Sequence, residues 1–203
     1  MAFIETTPPA DASGETLAMY SRQQGKYGYV PNYAKVFCHR PDIMALWADL
    51  LAGIRSHIAP REFELATLAA AHALKNSACS LAHGTALMKF FSLDEVIALV
   101  TDTEAAGIAP ADRAIVRFAR KVALDASAIT QQDIDDLRGH GFDDGAIFDM
   151  AASAAARCFF AKMLDAMGVQ PDSSAMAGDE RFRNVMTVGR AISDHQPEAV
   201  PST

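Results

Sequence analysis

The fold turns on one stretch, Pro60-Arg61-Glu62-Phe63-Glu64-Leu65-Ala66-Thr67-Leu68-Ala69-Ala70-Ala71-His72-Ala73-Leu74-Lys75, and on its continuation, Asn76-Ser77-Ala78-Cys79-Ser80-Leu81-Ala82-His83. Pro60 suits the first turn of a helix. Ala and Leu, strong helix formers, carry that helix to about residue 75. Asn76 and Ser77 prefer caps, so a second helix starts there and runs to about residue 91. Upstream, Ser13 caps a helix over 14–24, residues 25–32 read as an ordered loop, 33–39 as a short helix, and Pro41 opens a helix to about residue 56. Downstream, Ser92-Leu93-Asp94-Glu95 carries a capping box for a helix to about residue 100. Helices follow over 110–125, over 130–138 before Gly139 and Gly141, over 143–167 before Gly168, and over 179–193. Roughly one residue in five is Ala. No segment alternates with period two between turn residues, so the fold class is all-α.

The chain has 203 residues, 18 Lys+Arg against 25 Asp+Glu, a net charge of −7 and a pI near 5.3. That acidic balance argues against a nucleic-acid partner. No apolar run reaches the roughly 18 residues of a membrane span, and no basic patch leads into an apolar stretch at the N-terminus. Three cysteines suit free thiols in a reducing compartment better than a disulfide framework, so a cytoplasmic location is expected. We expect a flexible N-terminus over 1–12, one domain over 13–169, and a C-terminal linker, short helix and frayed tail over 170–203. A weak symmetry relates 61–83 to 113–158, each with an Arg-bearing helix start, a break and an Ala-rich helix holding a Cys, which suggests two degenerate halves.

The pattern with chemical content surrounds Cys79. With Asn76 as cap, Cys79 sits in the first turn of its helix, where unpaired N–H groups and the helix dipole favour an anion and lower a thiol pKa. His83 lies one turn along the same face and can exchange a proton with the sulfur. Glu64, at the edge of the apolar stripe of the preceding helix, would be partly desolvated, with a raised pKa suited to proton relay. The same spacing also fits a core cysteine packed with Ala86, Leu87 and Phe90, a hydrogen-bonded core histidine and a solvated helix-edge glutamate. His39, His57, His72, His83, His140 and His195 are dispersed without metal-ligand spacing, and the chain has no phosphate loop, nucleophile elbow or dinucleotide fingerprint. No metal or cofactor is therefore expected.

At these residues the sequence resembles the carboxymuconolactone decarboxylase superfamily, in its AhpD-like, peroxidase-related branch. The resemblance runs from about Gly25 to Val169. It is carried by Gly28-Tyr29-Val30-Pro31-Asn32, His39-Arg40-Pro41, Arg61-Glu62, Glu64 fifteen residues before Cys79, Cys79 with His83, Leu137-Arg138-Gly139-His140-Gly141-Phe142 and Asp165-Ala166-Met167-Gly168-Val169. It implies an all-helical homo-oligomer that reduces hydroperoxides through C-x-x-C-x-x-x-H and an upstream Glu. Cys79 then matches the peroxide-attacking cysteine, His83 the motif histidine and Glu64 the proton relay. The partners implied are a small hydroperoxide and a thiol reductant.

The sequence departs from that pattern at three places. Asn76 stands where the resolving cysteine belongs, Ala78 where an aromatic or His commonly precedes the second cysteine, and Cys158 where an Asn precedes the paired aromatics. Without the built-in partner, a sulfenate on Cys79 needs an outside thiol, or Cys38 or Cys158. Two other readings stay open: a cofactor-free lyase or isomerase of the decarboxylase kind using His83 and Glu64, and a non-catalytic oligomer with Cys79 as a redox sensor.

Overall fold

The computed structural model describes residues 2–102, 104–105 and 107–201; Met1 and the last residues of the expected tail, Ser202 and Thr203, lie outside them. Among the described residues there are helices and one isolated bridge, Val30 to Glu198, and no strand. The helices are α1 (Gly14–Tyr27), α2 (Asn32–Val36), α3 (Pro41–Arg55), α4 (Pro60–Ala73), α5 (Ser77–Leu87), α6 (Leu93–Thr101), α7 (Pro110–Asp125), α8 (Gln131–Gly139), α9 (Asp144–Ala166) and α10 (Glu180–Met186). The all-α fold is thus the observed one.

Helix α4 is the centre. It packs against α5, α7 and α9, and every residue from Phe63 to Ala71 is buried. A helix covered on all sides needs small residues where neighbours press closest, and Ala66, Ala69, Ala70 and Ala71 supply them. One apolar cluster joins Phe63 and Leu68 of α4 to Ile115 of α7 and Met150 of α9. A second joins Met19 and Tyr20 of α1, Met44 of α3 and Phe160 and Leu164 of α9, and Cys79 belongs to it. The two stretches that suggested internal symmetry differ in their breaks: α8 lies between α7 and α9, whereas only Leu74, Lys75 and Asn76 separate α4 from α5.

That short connection sets the site. Lys75 takes a left-handed φ of 58°, so the helix stops at Ala73 and not at the expected residue 75. The Asn76 N–H then returns to Ala71 O at 3.0 Å. Three other boundaries also differ from expectation: helix α5 ends at Leu87, four residues short of residue 91, and those of α1 and the last helix move as well. Helix α1 continues through the exposed Gly25 to Tyr27, because Gly28 (φ 81°) provides the left-handed cap and donates its N–H to Gln24 O at 2.7 Å. The last helix ends at Met186, seven residues early. Beyond it the chain turns inward, and the Gly189 N–H donates to Ser77 Oγ at 2.9 Å.

Gly189 lies against the Lys75 carbonyl so closely that a Cβ there would stand 2.0 Å from that oxygen. Gly189→Ala is expected to cost about 2 kcal/mol or more, roughly 5 °C of Tm at this chain length. Thermal melts of the two proteins check this.

The flanking segments lie on the bundle. The sequence suggests a flexible start, yet the Phe3 N–H donates to Met167 O at 2.8 Å and the Tyr20 hydroxyl to Thr7 O at 2.9 Å, and Pro9 is buried. Near the other end, Lys35 pairs with Glu198 at 2.6 Å. No described helix is long and apolar enough to cross a membrane.

Candidate active site

Cys79 is the third residue of α5 and is 4% exposed. Asn76 caps the helix: its Oδ1 accepts the Cys79 N–H at 2.8 Å, and its Nδ2 donates to Ala161 O of α9 at 3.2 Å. Asn76 therefore ties the start of α5 to α9 and occupies the N–H nearest the thiol. Helix-dipole stabilisation does not prevail here. Burial pushes the Cys79 thiol above its ordinary range, and the nearby Arg157 offsets only part of the rise. The expected lowering of the thiol pKa is corrected on this ground.

Glu64 and His83 are brought together across α4 and α5, with His83 Nδ1 2.6 Å from Glu64 Oε2. Burial pulls His83 down to about 4, with Arg157 adding to the effect and Glu64 opposing it. Glu64 was expected to titrate high, and it moves the other way. Burial raises its pKa, but the His83 hydrogen bond and charge, with Arg55 and Arg157, bring it below the ordinary value. At neutral pH the pair is an ionised carboxylate and a neutral imidazole. An ionised carboxylate only accepts, so His83 donates from Nδ1 and carries its lone pair on Nε2. No hydrogen bond joins His83 to Cys79 among the described residues.

The group that does reach the sulfur is Arg157 of α9, with Nη1 3.4 Å from Cys79 Sγ. It is 3% exposed, and its guanidinium carbon lies 5.5 Å from the ring centroids of both Trp47 and Phe160. The sequence reading missed it and fixed on the neighbouring Cys158. A signal was present: Arg157 shares the period of Met150, Ser153, Phe160 and Leu164, all on the buried stripe of a 23-residue helix. A cation on a core stripe is rare enough to mark a site.

Cys79, His83, Glu64 and Arg157 all border one open cavity of about 1080 Å³. Its aromatic wall holds Trp47 stacked on Phe160, centroids 4.0 Å apart at 11°. Neither Cys38 nor Cys158 borders it. Cys38 Sγ accepts the Thr7 N–H at 3.4 Å. Cys158 donates to Ala154 O at 3.2 Å, and burial raises its pKa. Among the described residues, no group of three or more His, Cys, Asp or Glu side chains could hold a metal ion.

Residues 41–121, from α3 through most of α7, match the carboxymuconolactone decarboxylase family. This stretch is what the chain shares with that family. The segment supplies Glu64, Cys79 and His83, whereas Arg157 comes from outside it. Solved structures share the fold over most of the chain. The alkylhydroperoxidase AhpD core of an uncharacterized peroxidase-related protein from Ralstonia eutropha JMP134 is 23% identical over 93% of this chain and 98% of that one, with a TM-score of 0.72. An uncharacterized peroxidase-related protein from Silicibacter sp. TM1040 is 24% identical over 83% and 91%, with a TM-score of 0.72. A cysteine-to-alanine variant of the debrominase Bmp8, in complex with 2,3,4-tribromopyrrole, is 17% identical over 86% and 94%, with a TM-score of 0.70. At these identities the likeness establishes the fold. No curated protein matches the chain.

Proposed function

We propose that this protein is a one-cysteine hydroperoxide reductase of the AhpD-like kind, with Cys79 as nucleophile, His83 as base and Glu64 as its orienting partner. The observation that carries this reading is the Arg157–Cys79 contact beside a neutral, carboxylate-oriented His83 in one cavity. His83 Nε2 takes the thiol proton by way of a cavity water, and Arg157 holds the thiolate charge. The sulfur attacks the nearer peroxide oxygen, the O–O bond breaks, and the alkoxide takes the proton back from His83 as an alcohol leaves. Cys79 is now a sulfenic acid. One external thiol converts it to a mixed disulfide with loss of water, and a second thiol releases Cys79 and an external disulfide. The exposed Ile43, Leu46 and Leu50, one row on α3, favour a homo-oligomer.

One equivalent of cumene hydroperoxide is expected to leave a dimedone-trappable sulfenate on Cys79 and nowhere else, read by mass spectrometry. Consumption of peroxide by Cys79→Ser at the parental rate overturns the reading.

The raised Cys79 pKa favours a second reading, a cofactor-free lyase in which His83 and Glu64 move protons on a lactone. The pH profiles separate the two. His83 is neutral above about 4, so a lyase rate is flat through the neutral range, while a thiolate rate climbs with pH. Activity kept in Cys79→Ala and lost in His83→Ala would identify the lyase.

A further inference from the structure

Arg157 is a buried cation with no carboxylate in ion-pair contact, although Glu64 feels its charge. Its Nη1 is spent on a thiol, its Nε is buried with no acceptor, and among the described residues no carboxylate pairs with it. Glu64 is engaged by His83 at 2.6 Å and by Arg55 at 3.9 Å. A guanidinium cannot escape this cost by losing its proton. The stacked wall of the same cavity holds a second orphan, the buried Trp47 Nε1. Both orphans are donors, so what both lack is an acceptor.

The cavity's charge points the same way. The chain is acidic overall, yet Arg22, Lys26, Arg55 and Arg157 line the cavity against two carboxylates, Glu64 and Asp172. Asp172 is also engaged, accepting the Asn32 N–H at 2.8 Å. Arg22, Lys26 and Arg55 are exposed and Arg157 is buried, so positive charge runs from solvent to the Cys79 sulfur. Such a lining draws anions in. The flat Trp47–Phe160 wall suits a ring.

We propose that the Cys79 cavity binds planar aromatic carboxylates, with Arg157 pairing the carboxylate and the Trp47–Phe160 wall flanking the ring. This names the class of molecule that brings the reacting group to Cys79. It rests on the reading above for the place of the chemistry and not for its kind.

Trp47 is the chain's one tryptophan, so its emission reports on this cavity. Titration with para-nitrobenzoate, a planar acid and a quencher, is compared with para-nitrobenzyl alcohol, its uncharged counterpart. The acid is expected to quench saturably and to bind at least about tenfold more tightly than the alcohol. The preference should fall below about twofold in Arg157→Gln and persist in part in Arg157→Lys. Equal affinity of the parent for acid and alcohol overturns the proposal, as does a preference that survives Arg157→Gln. Circular dichroism verifies the fold of each variant. If Arg157→Gln does not fold, the parental ratio and Arg157→Lys decide. An acid preference without sulfenate on Cys79 refutes the peroxidase reading alone, and sulfenate without acid preference refutes this proposal alone.

Discussion

Glu64→Gln is expected to slow peroxide oxidation of Cys79 at pH 7 by about two to four orders of magnitude, the range that an oriented general base contributes. The cause lies in the 2.6 Å bond to His83 Nδ1. The carboxylate can only accept, so it fixes the tautomer with the lone pair on Nε2. A carboxamide can instead present its NH2 to Nδ1 and leave the proton on Nε2, where the base is needed. It also removes the one charge that raises the His83 pKa against burial and Arg157, so the imidazole that remains is a weaker base. Volume and a hydrogen bond are kept, so Tm should move by only a few degrees. Stopped-flow oxidation by cumene hydroperoxide, with thermal melts alongside, measures both. A Glu64→Gln protein that reacts within threefold of the parent would remove Glu64 from the mechanism.

Local signals made most of the fold legible. Proline at a first turn placed the starts of α3 and α4, and the Ser92–Glu95 box placed α6. These devices act within four residues, so one sequence reports them fully. The errors fell where distant contacts decide. The last helix was expected to continue through 187–193, yet the chain there turns in to reach Ser77 and the Lys75 carbonyl, more than a hundred residues away in sequence. Helix α1 outran its predicted end because an exposed glycine costs a helix only about 1 kcal/mol. The site divides in the same way. Glu64, Cys79 and His83 lie within twenty residues and were named from spacing. Arg157 reaches Cys79 across 78 positions. The signs of the Cys79 and Glu64 shifts depend on burial and on that distant guanidinium, so local reading gave both the wrong direction.

Arg157→Met is expected to lower the rate of Cys79 oxidation at pH 7 by about tenfold or more while leaving Tm unchanged or higher. Arg157 supplies both influences that pull the buried thiol down, its charge and its N–H···S bond. Without them the thiol pKa rises further, and each added unit removes about nine-tenths of the thiolate present at a given pH. The sign is visible in the profile. The parental rate should climb about tenfold per pH unit through the neutral range, because the thiol titrates above it and His83 changes charge only near 4. The variant's line should run parallel and lower, bend at higher pH, and approach the parental rate where both thiols are ionised. Loss by the same factor at every pH would instead mean a damaged cavity and would sink the assignment. Stability should move the other way. Met fills the space beside the stacked Trp47 and Phe160 without burying an unpaired cation, and such replacements are commonly neutral or stabilising. A protein that gains Tm and loses only its low-pH reactivity would identify Arg157 as a charge kept for the sulfur at the expense of the fold.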